Sequence, residues 1–265
     1  MKHIIATDYD GTLYLYHQGG ITDEVRSKIS EFRKNGNYFG VVTGRSYKWA
    51  YPIFKQQNLF DFDFILSDNG AQCTDKDGNL VFSEKIKAYK GFAKDYMEKA
   101  FSFGEELEEI GICLEKERYN FLPDNPEGTD YYNNHKDIEK LMDLDEFVMV
   151  NAVCKNSESA ERLRKIIAEA FGDILCPARN DRCLDITSVG VNKATGIKKY
   201  AEIMGVDIDN VYAAGDNFND IVMVEAFHGC AVENAVKELK DVAEYIVEDV
   251  GTIVSMILDE EKNND

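Results

Sequence analysis

The most constraining stretch of this chain is its start, His3-Ile4-Ile5-Ala6-Thr7-Asp8-Tyr9-Asp10-Gly11-Thr12-Leu13. A short apolar run of this kind predicts a strand buried on both faces, as in a parallel sheet flanked by helices. The run leads straight into two carboxylates, Asp8 and Asp10, and Gly11 and Thr12 then break the strand. Two acids this close repel each other unless a cation lies between them or one keeps its proton. The carboxyl end of a parallel strand is also where open α/β sheets hold their ligands. A plain turn needs the same residues, with Asp and Gly merely ending the strand. The decision therefore rests on the rest of the chain.

The pattern repeats. Thr22-Asp23-Glu24 predicts a capped helix start, Val25, Ile29 and Phe32 its apolar face, and Asn35-Gly36 its stop. Residues 38–42 predict a second strand ending in Thr43-Gly44-Arg45. Ser46 is positioned to cap the next helix, which Pro52 should kink or interrupt. Residues 64–66 predict a third strand, ending in Ser67-Asp68-Asn69-Gly70. Strand, helix, strand, helix, strand is the signature of a parallel sheet with crossover helices.

From residue 71 the pattern changes. Asp75-Lys76-Asp77-Gly78-Asn79 predicts a hairpin turn. An amphipathic helix over 86–102, two adjacent strands over 107–122 and a short helix over 134–143 follow. A strand over 147–153, a helix over 157–171 capped by Ser157, and strands near 173–176 and 183–187 come next. Paired strands with helices on one side suggest an α+β layer. The first pattern then resumes with a helix opened by Asn192-Lys193. A strand over 211–214 ends in Gly215-Asp216-Asn217-Phe218-Asn219-Asp220, and a helix runs over 221–227. Short elements lead to a last helix from Thr252. The expected fold is α/β: a Rossmann-like parallel-sheet core, residues 1–82 and 187–265, with an inserted α+β cap, residues 83–186.

Composition narrows the partners. A net charge of −19 argues against nucleic acid or an anionic membrane as partner. No apolar run approaches the ~18 residues of a membrane span, and the start of the chain lacks the pattern of a signal peptide. The six cysteines show no C-x-x-C spacing, so reduced thiols in a cytoplasmic protein are expected. The same negative charge means that an anionic substrate needs local cations.

Polar residues gather at expected strand ends or helix openings: Asp8, Asp10, Thr43, Lys193, Asp216 and Asp220. In a parallel sheet those ends share one edge. A reversal of strand order beside the first strand would bring the Asp8 and Asp216 loops to one crevice. Three or four acids suit a hard cation such as Mg²⁺, and a lysine with a hydroxyl suits phosphate oxygens. The four histidines are scattered and give no zinc pattern.

The set Asp8-Tyr9-Asp10-Gly11-Thr12, Thr43-Gly44-Arg45, Lys193, and Gly215-Asp216-Asn217 with Asn219-Asp220 resembles the four motifs of the haloacid dehalogenase-like hydrolase superfamily. The insert between the second and third motifs, preceded by Ser67-Asp68-Asn69-Gly70-Ala71, resembles the Cof-like branch with a C2-type cap. The resemblance implies Mg²⁺-dependent hydrolysis of a small phosphorylated metabolite, a sugar phosphate or similar monoester, through an aspartyl phosphate. It implies Asp8 as nucleophile and Asp10 as general acid and base, with the Asp10 carbonyl on the metal. Thr43 would bind the phosphoryl group and Lys193 would neutralise it. Asp216 and Asp220 would complete the metal site, and Gly44, Asn69 and Asn219 the substrate side. Arg45 either binds phosphate or pairs with a core acid. Arg179-Asn180-Asp181-Arg182 is either a turn hanging over the site or a charged hairpin tip, and Tyr131 and Tyr132 are weaker candidates. A phosphotransferase or mutase on the same scaffold is the first rival reading, and a non-catalytic metabolite-binding regulator the second. The particular ester and the oligomeric state are not legible.

Overall fold

The computed structural model describes residues 2–56, 62–123 and 141–264. Along the chain come β1 (Ile4–Thr7), α1 (Asp23–Lys34), β2 (Tyr38–Val42), α2 (Tyr47–Gln56), β3 (Phe64–Ser67), β4 (Gln72–Asp75) and β5 (Leu80–Ser83). Next are β6 (Ile86–Lys87), α3 (Phe92–Phe101), β7 (Leu107–Cys113), β8 (Arg118–Phe121), β9 (Glu146–Phe147), β10 (Met149–Cys154), α4 (Ser157–Phe171), β11 (Leu175–Asn180) and β12 (Cys183–Ser188). Then follow α5 (Lys193–Met204), β13 (Val211–Gly215), α6 (Ile221–Val224), β14 (His228–Val232), α7 (Lys237–Lys240), β15 (Tyr245–Val247) and α8 (Val250–Asn264).

The protein is a mixed α/β fold built on a largely parallel sheet. Eight strands run in the order β15-β14-β13-β1-β2-β3-β4-β5. The first six are mutually parallel, and the hairpin β4–β5 adds antiparallel to β3. β1 is buried throughout and pairs on both sides, with Thr7 level with Ala214 of β13 and Val41 of β2. The chain leaves β1 toward β2 and β3 and later returns on the other flank through β13. The order therefore reverses beside β1, and the loops after β1, β2 and β13 meet at one edge. One apolar core joins this sheet to its helices, Val25, Ile29 and Phe32 of α1 included.

A second, antiparallel sheet has the order β11-β12-β10-β7-β8. One face carries Ile110, Ile112, Val150, Ala152, Leu184 and Ile186, packed with Phe92, Tyr96 and Leu163 of α3 and α4. Side chains alternate along strands, so the residues between these point the other way, among them Gly111, Asn151 and Asp185.

Several local expectations are corrected. Ile86 and Lys87 are extended and pair with Phe147 and Glu146, so α3 begins only at Phe92. Asn156, not Ser157, caps α4, its side chain accepting from the Ser159 amide. The Ser46 hydroxyl caps nothing; the Asp68 carboxylate instead accepts from the Tyr47 amide at 3.1 Å. Helix α2 continues through Pro52 to Gln56, because Ala50 and Phe54 are buried in the core and hold it across the lost hydrogen bond. The helix expected over 221–227 stops at Val224, and the last helix begins at Val250, two residues before Thr252. The expected helix over 134–143 lies largely outside the described residues, as do Tyr131 and Tyr132. Among the described residues, no helix is long and apolar enough to cross a membrane.

Candidate active site

Asp8 is the first residue past β1, and its amide donates to the Ala214 carbonyl at 2.8 Å. The chain then turns back on itself, with Leu13 and Tyr14 amides bonded to the carbonyls of Asp8 and Tyr9. Gly11 makes that turn possible. Its φ is +86°, and a Cβ there would lie 2.6 Å from Oδ2 of Asp216, so only glycine lets the two loops touch. The Thr12 hydroxyl fastens the contact by donating to Oδ1 of Asp216 at 2.7 Å.

Asp220 is oriented by its own turn: its Oδ2 accepts the amides of Asp216 and Asn217, each at 3.0 Å. Lys193 opens α5, which Asn192 caps through the Thr195 amide. The lysine side chain is wholly buried, with Nζ 2.6 Å from Asp8 Oδ1 and 2.6 Å from Asp220 Oδ1. Asp8, Asp216 and Asp220 each offer an oxygen, and these atoms all lie within 4.8 Å of one another.

The electrostatics follow from burial. Desolvation raises the Asp8 carboxyl well above its usual range; Lys193 pulls it back, while Asp220 and Asp216 add to the rise. Asp216 is pushed up to about 6, again mainly by burial, against the Thr12 hydrogen bond. Burial works against the Lys193 charge, yet Asp220 and Asp8 outweigh it and raise the lysine further. Three carboxylates thus face one ammonium, an excess of negative charge in a poorly solvated place. An all-oxygen donor set with uncompensated charge fits a hard divalent cation.

Asp10 looks a different way. Its carboxylate is held in a fork by Arg45, Nε at 2.7 Å and Nη2 at 2.8 Å, and accepts from the Tyr16 hydroxyl at 2.7 Å. Arg45 is therefore paired with an acid, and that hydrogen bond holds its guanidinium more firmly charged. Thr43 Oγ1 accepts from the Arg45 amide at 3.1 Å. Behind it, the Asn69 amide donates to the Thr43 carbonyl at 3.0 Å.

A cavity of about 300 Å³ gathers most of these groups: Asp8, Asp10, Thr43, Gly44, Arg45, Asp216 and Asn219 line one wall. Lys193 and Asp220 are buried next to Asp8, and Asn69 is buried behind Thr43. Arg118, Asn151, Asn180 and Asp185, from the five-stranded sheet, form the opposite wall. Asn180 brings the β11–β12 turn to the cavity, and the Arg179 guanidinium lies 4.7 Å from the Phe218 ring centre. Sequence reasoning missed Arg118, Asn151 and Asp185. The one signal available was an acid alone between Leu184 and Ile186, which reads as an ordinary two-faced strand.

The reversal beside β1, the acids at its edge and the buried lysine define an α/β fold with a charged site at the carboxyl edge of its parallel sheet. A family model for haloacid dehalogenase-like hydrolases matches residues 5–252, and the chain belongs to that family. Over 261 residues it is 27% identical to YkrA of Bacillus subtilis (strain 168), covering 93% of this chain and 92% of that protein. It is 26% identical over 252 residues to YcsE of the same strain, named a 5-amino-6-(5-phospho-D-ribitylamino)uracil phosphatase, covering 92% and 89%. A solved haloacid dehalogenase-like hydrolase from B. subtilis matches with a TM-score of 0.76 and 20% identity, over 96% of this chain and 99% of that one. At that identity the likeness speaks for the fold.

Proposed function

We propose that this protein hydrolyses small phosphate monoesters, with residues 83–186 acting as a cap over the cavity. The carrying observation is the buried ammonium of Lys193 held between Asp8 and Asp220, with Asp216 beside them. Such a cluster accepts a dianionic phosphoryl group only if its positive charge is close and fixed. The name of YcsE, a 5-amino-6-(5-phospho-D-ribitylamino)uracil phosphatase, supports the reaction class.

In the first step Asp8 attacks phosphorus, an O–P bond forms, and the ester P–O bond breaks. The leaving alkoxide takes a proton from Asp10 and departs as the alcohol. In the second step water attacks the aspartyl phosphate, Asp10 takes its proton, and Asp8 and inorganic phosphate are released. Lys193 balances the charge of Asp8 and of the phosphoryl oxygens in both steps. Thr43 Oγ1 already accepts from the Arg45 amide, which leaves its own proton for a phosphoryl oxygen. Arg45 holds both oxygens of Asp10, so Asp10 reaches the leaving oxygen only when that pair opens. Asp8, Asp216 and Asp220, with the Asp10 carbonyl, would hold Mg²⁺, which when bound supplies positive charge to the phosphoryl oxygens.

The test is turnover of p-nitrophenyl phosphate in Mg²⁺ buffer by the wild type and by Asp8→Asn. The variant should lose at least about 10³-fold in kcat, by analogy with removal of other covalent nucleophiles, and keep its circular dichroism spectrum. Equal rates would remove Asp8 from the mechanism.

A further inference from the structure

The loop between β1 and α1 carries a ring that packing leaves mostly in water. Tyr16 is 65% exposed, the most exposed large hydrophobic side chain among the described residues. Its place is nonetheless built. Leu15 before it is buried, and the Leu15 carbonyl accepts the amides of Gln18 and Gly20 at 3.0 and 3.1 Å, which closes a short turn over Tyr16–Gln18. Gly20, at φ +124°, lets the turn close on Tyr14, since a Cβ there would lie 3.0 Å from the Tyr14 ring. Four rings then lead from the core to the surface. Phe54 and Tyr9 are 4.5 Å apart between centres, Tyr9 and Tyr14 5.6 Å, and Tyr14 and Tyr16 5.3 Å in an edge-on contact. Phe54 and Tyr9 are buried, so the ladder is anchored at its inner end.

The outer end of the ladder meets Asp10. The Tyr16 hydroxyl donates to Oδ1 of Asp10 at 2.7 Å, the oxygen that Arg45 Nη2 also holds, at 2.8 Å. Oδ2 takes Arg45 Nε alone, at 2.7 Å. The two holds differ in place. Arg45 lines the cavity that contains Asp8 and also a second one, of about 540 Å³, beside Trp49 and Arg118. An anion that enters either cavity competes with Asp10 for that guanidinium. Tyr16 lines neither cavity and is outside that competition. The holds differ in chemistry too. A guanidinium fork needs both carboxylate oxygens bare, whereas a phenol O–H donates to a carboxylate or to the carbonyl oxygen of the acid alike. When the Arg45 pair opens, Tyr16 still holds Oδ1, and Oδ2 is the oxygen set free.

We propose that Tyr16 is a positioning residue for Asp10: its hydroxyl keeps Oδ1 anchored while Arg45 lets go, and so aims Oδ2 at the leaving oxygen. In the first step Oδ2 gives its proton to the leaving alkoxide as the ester P–O bond breaks. In the second, Oδ2 takes a proton from the attacking water. The Tyr16 proton stays on the phenol throughout, so the residue acts only through Asp10. This inference rests on the phosphatase reading for the role of Asp10, and on the anchored ring and its one hydrogen bond for the role of Tyr16.

The experiment measures kcat/KM in Mg²⁺ buffer for p-nitrophenyl, phenyl and glycerol phosphates, with wild type and Tyr16→Phe. This substitution keeps the ring and its ladder, and the circular dichroism spectrum and thermal midpoint should match wild type. The ratio kcat/KM includes the step in which the leaving group departs. A p-nitrophenolate leaves with little help, while phenolate and then alkoxide depend increasingly on a well-aimed proton. The ratio of variant to wild type should therefore fall about tenfold from the first ester to the last, part of the roughly 10²- to 10⁴-fold that general acid–base catalysis supplies. The inhibition constant of inorganic phosphate, which carries no leaving group, should match wild type. One ratio for all three esters, whether a common loss or none, would overturn the proposal. Weaker inhibition by phosphate overturns it as well, since that places the hydroxyl in phosphate binding. A wild type inert toward all three esters refutes the phosphatase reading and the role of Tyr16 with it; every other outcome leaves that reading standing.

Discussion

The wall supplied by the eight-stranded sheet and the wall supplied by the five-stranded sheet face each other across one cavity, and their polar groups are satisfied in opposite ways. On the first, Lys193 is shared by Asp8 and Asp220, Arg45 grips Asp10, and Thr12 holds Asp216. On the second, Asp185 and Asn151 present acceptors that the described residues leave unmet. The acids that line the first wall are each paired from within it, although Ser46 Oγ, Asp68 Oδ1 and Asn69 Oδ1 behind them lack partners. The second wall leaves the Asp185 carboxyl to the more distant charges of Lys193 and Arg118. The two sheets thus order the charge that faces the cavity in different ways.

The comparison is broken most severely by Lys193→Met. Removing the ammonium leaves Asp8 and Asp220 buried and uncompensated, and loss of one partner of a buried pair costs about 3–5 kcal/mol. Urea unfolding in chelator should read that loss, and added Mg²⁺ should recover part of it. A variant as stable as wild type in chelator would mean that the first wall is not held together by this charge.

Asp68 sharpens the contrast, being a buried acid of the first wall with neutral partners, the Ser67 hydroxyl and the Tyr47 amide. Burial pushes it up to about 7 from an ordinary 3.8. A carboxyl raised in the folded state contributes stability that is fully present below its unfolded value and lost as pH rises through the folded one. Its window here runs from about pH 4 to 7, with a slope of at most about 1.4 kcal/mol per pH unit. Asp68→Asn should therefore be less sensitive to pH than wild type when urea midpoints at pH 5 and pH 8 are compared. The same difference between the two proteins at both pH values would exclude a titrating Asp68.

The mildest change probes the seam. Gly44→Ala puts a methyl against the Asp185 carboxylate, the tip of a side chain that can swing aside. Stability should change by less than about 1 kcal/mol, while KM for p-nitrophenyl phosphate rises, because the methyl enters the cavity beside Thr43. An unchanged KM would separate the two walls functionally.

The first wall was legible because strand ends in a parallel sheet are marked by abrupt changes from apolar to polar residues. Ile4-Ile5-Ala6-Thr7 into Asp8, and Val211-Tyr212-Ala213-Ala214 into Asp216, announce both the strands and the edge they share. The Thr22 cap was equally plain, since it is a local hydrogen bond to the Val25 amide. The second wall was not. In an antiparallel sheet every strand alternates, so Asp185 between Leu184 and Ile186 looks like a solvated residue. Only the register, a long-range property, sets it beside Asn151 and turns that face inward. The caps expected at Ser157 and Ser46 gave way to Asn156 and Asp68 for a related reason: several polar residues can reach the same amides, and packing decides between them.

Gly70 and Gly196 carry one more consequence. A Cβ at Gly70 would strike the Asn192 carbonyl at 2.3 Å, and one at Gly196 the Gly70 carbonyl at 2.6 Å. Gly70, Glu84, Val189 and Gly196 border a single crevice, and Glu84 is ion-paired to Lys199. The outgoing and returning passes of the chain between the sheets are thus clasped along one side, as a book is bound at its spine. Lys193 follows directly on Asn192 in that clasp, so the contact that binds the two passes also fixes the start of the helix that carries the ammonium to Asp8 and Asp220.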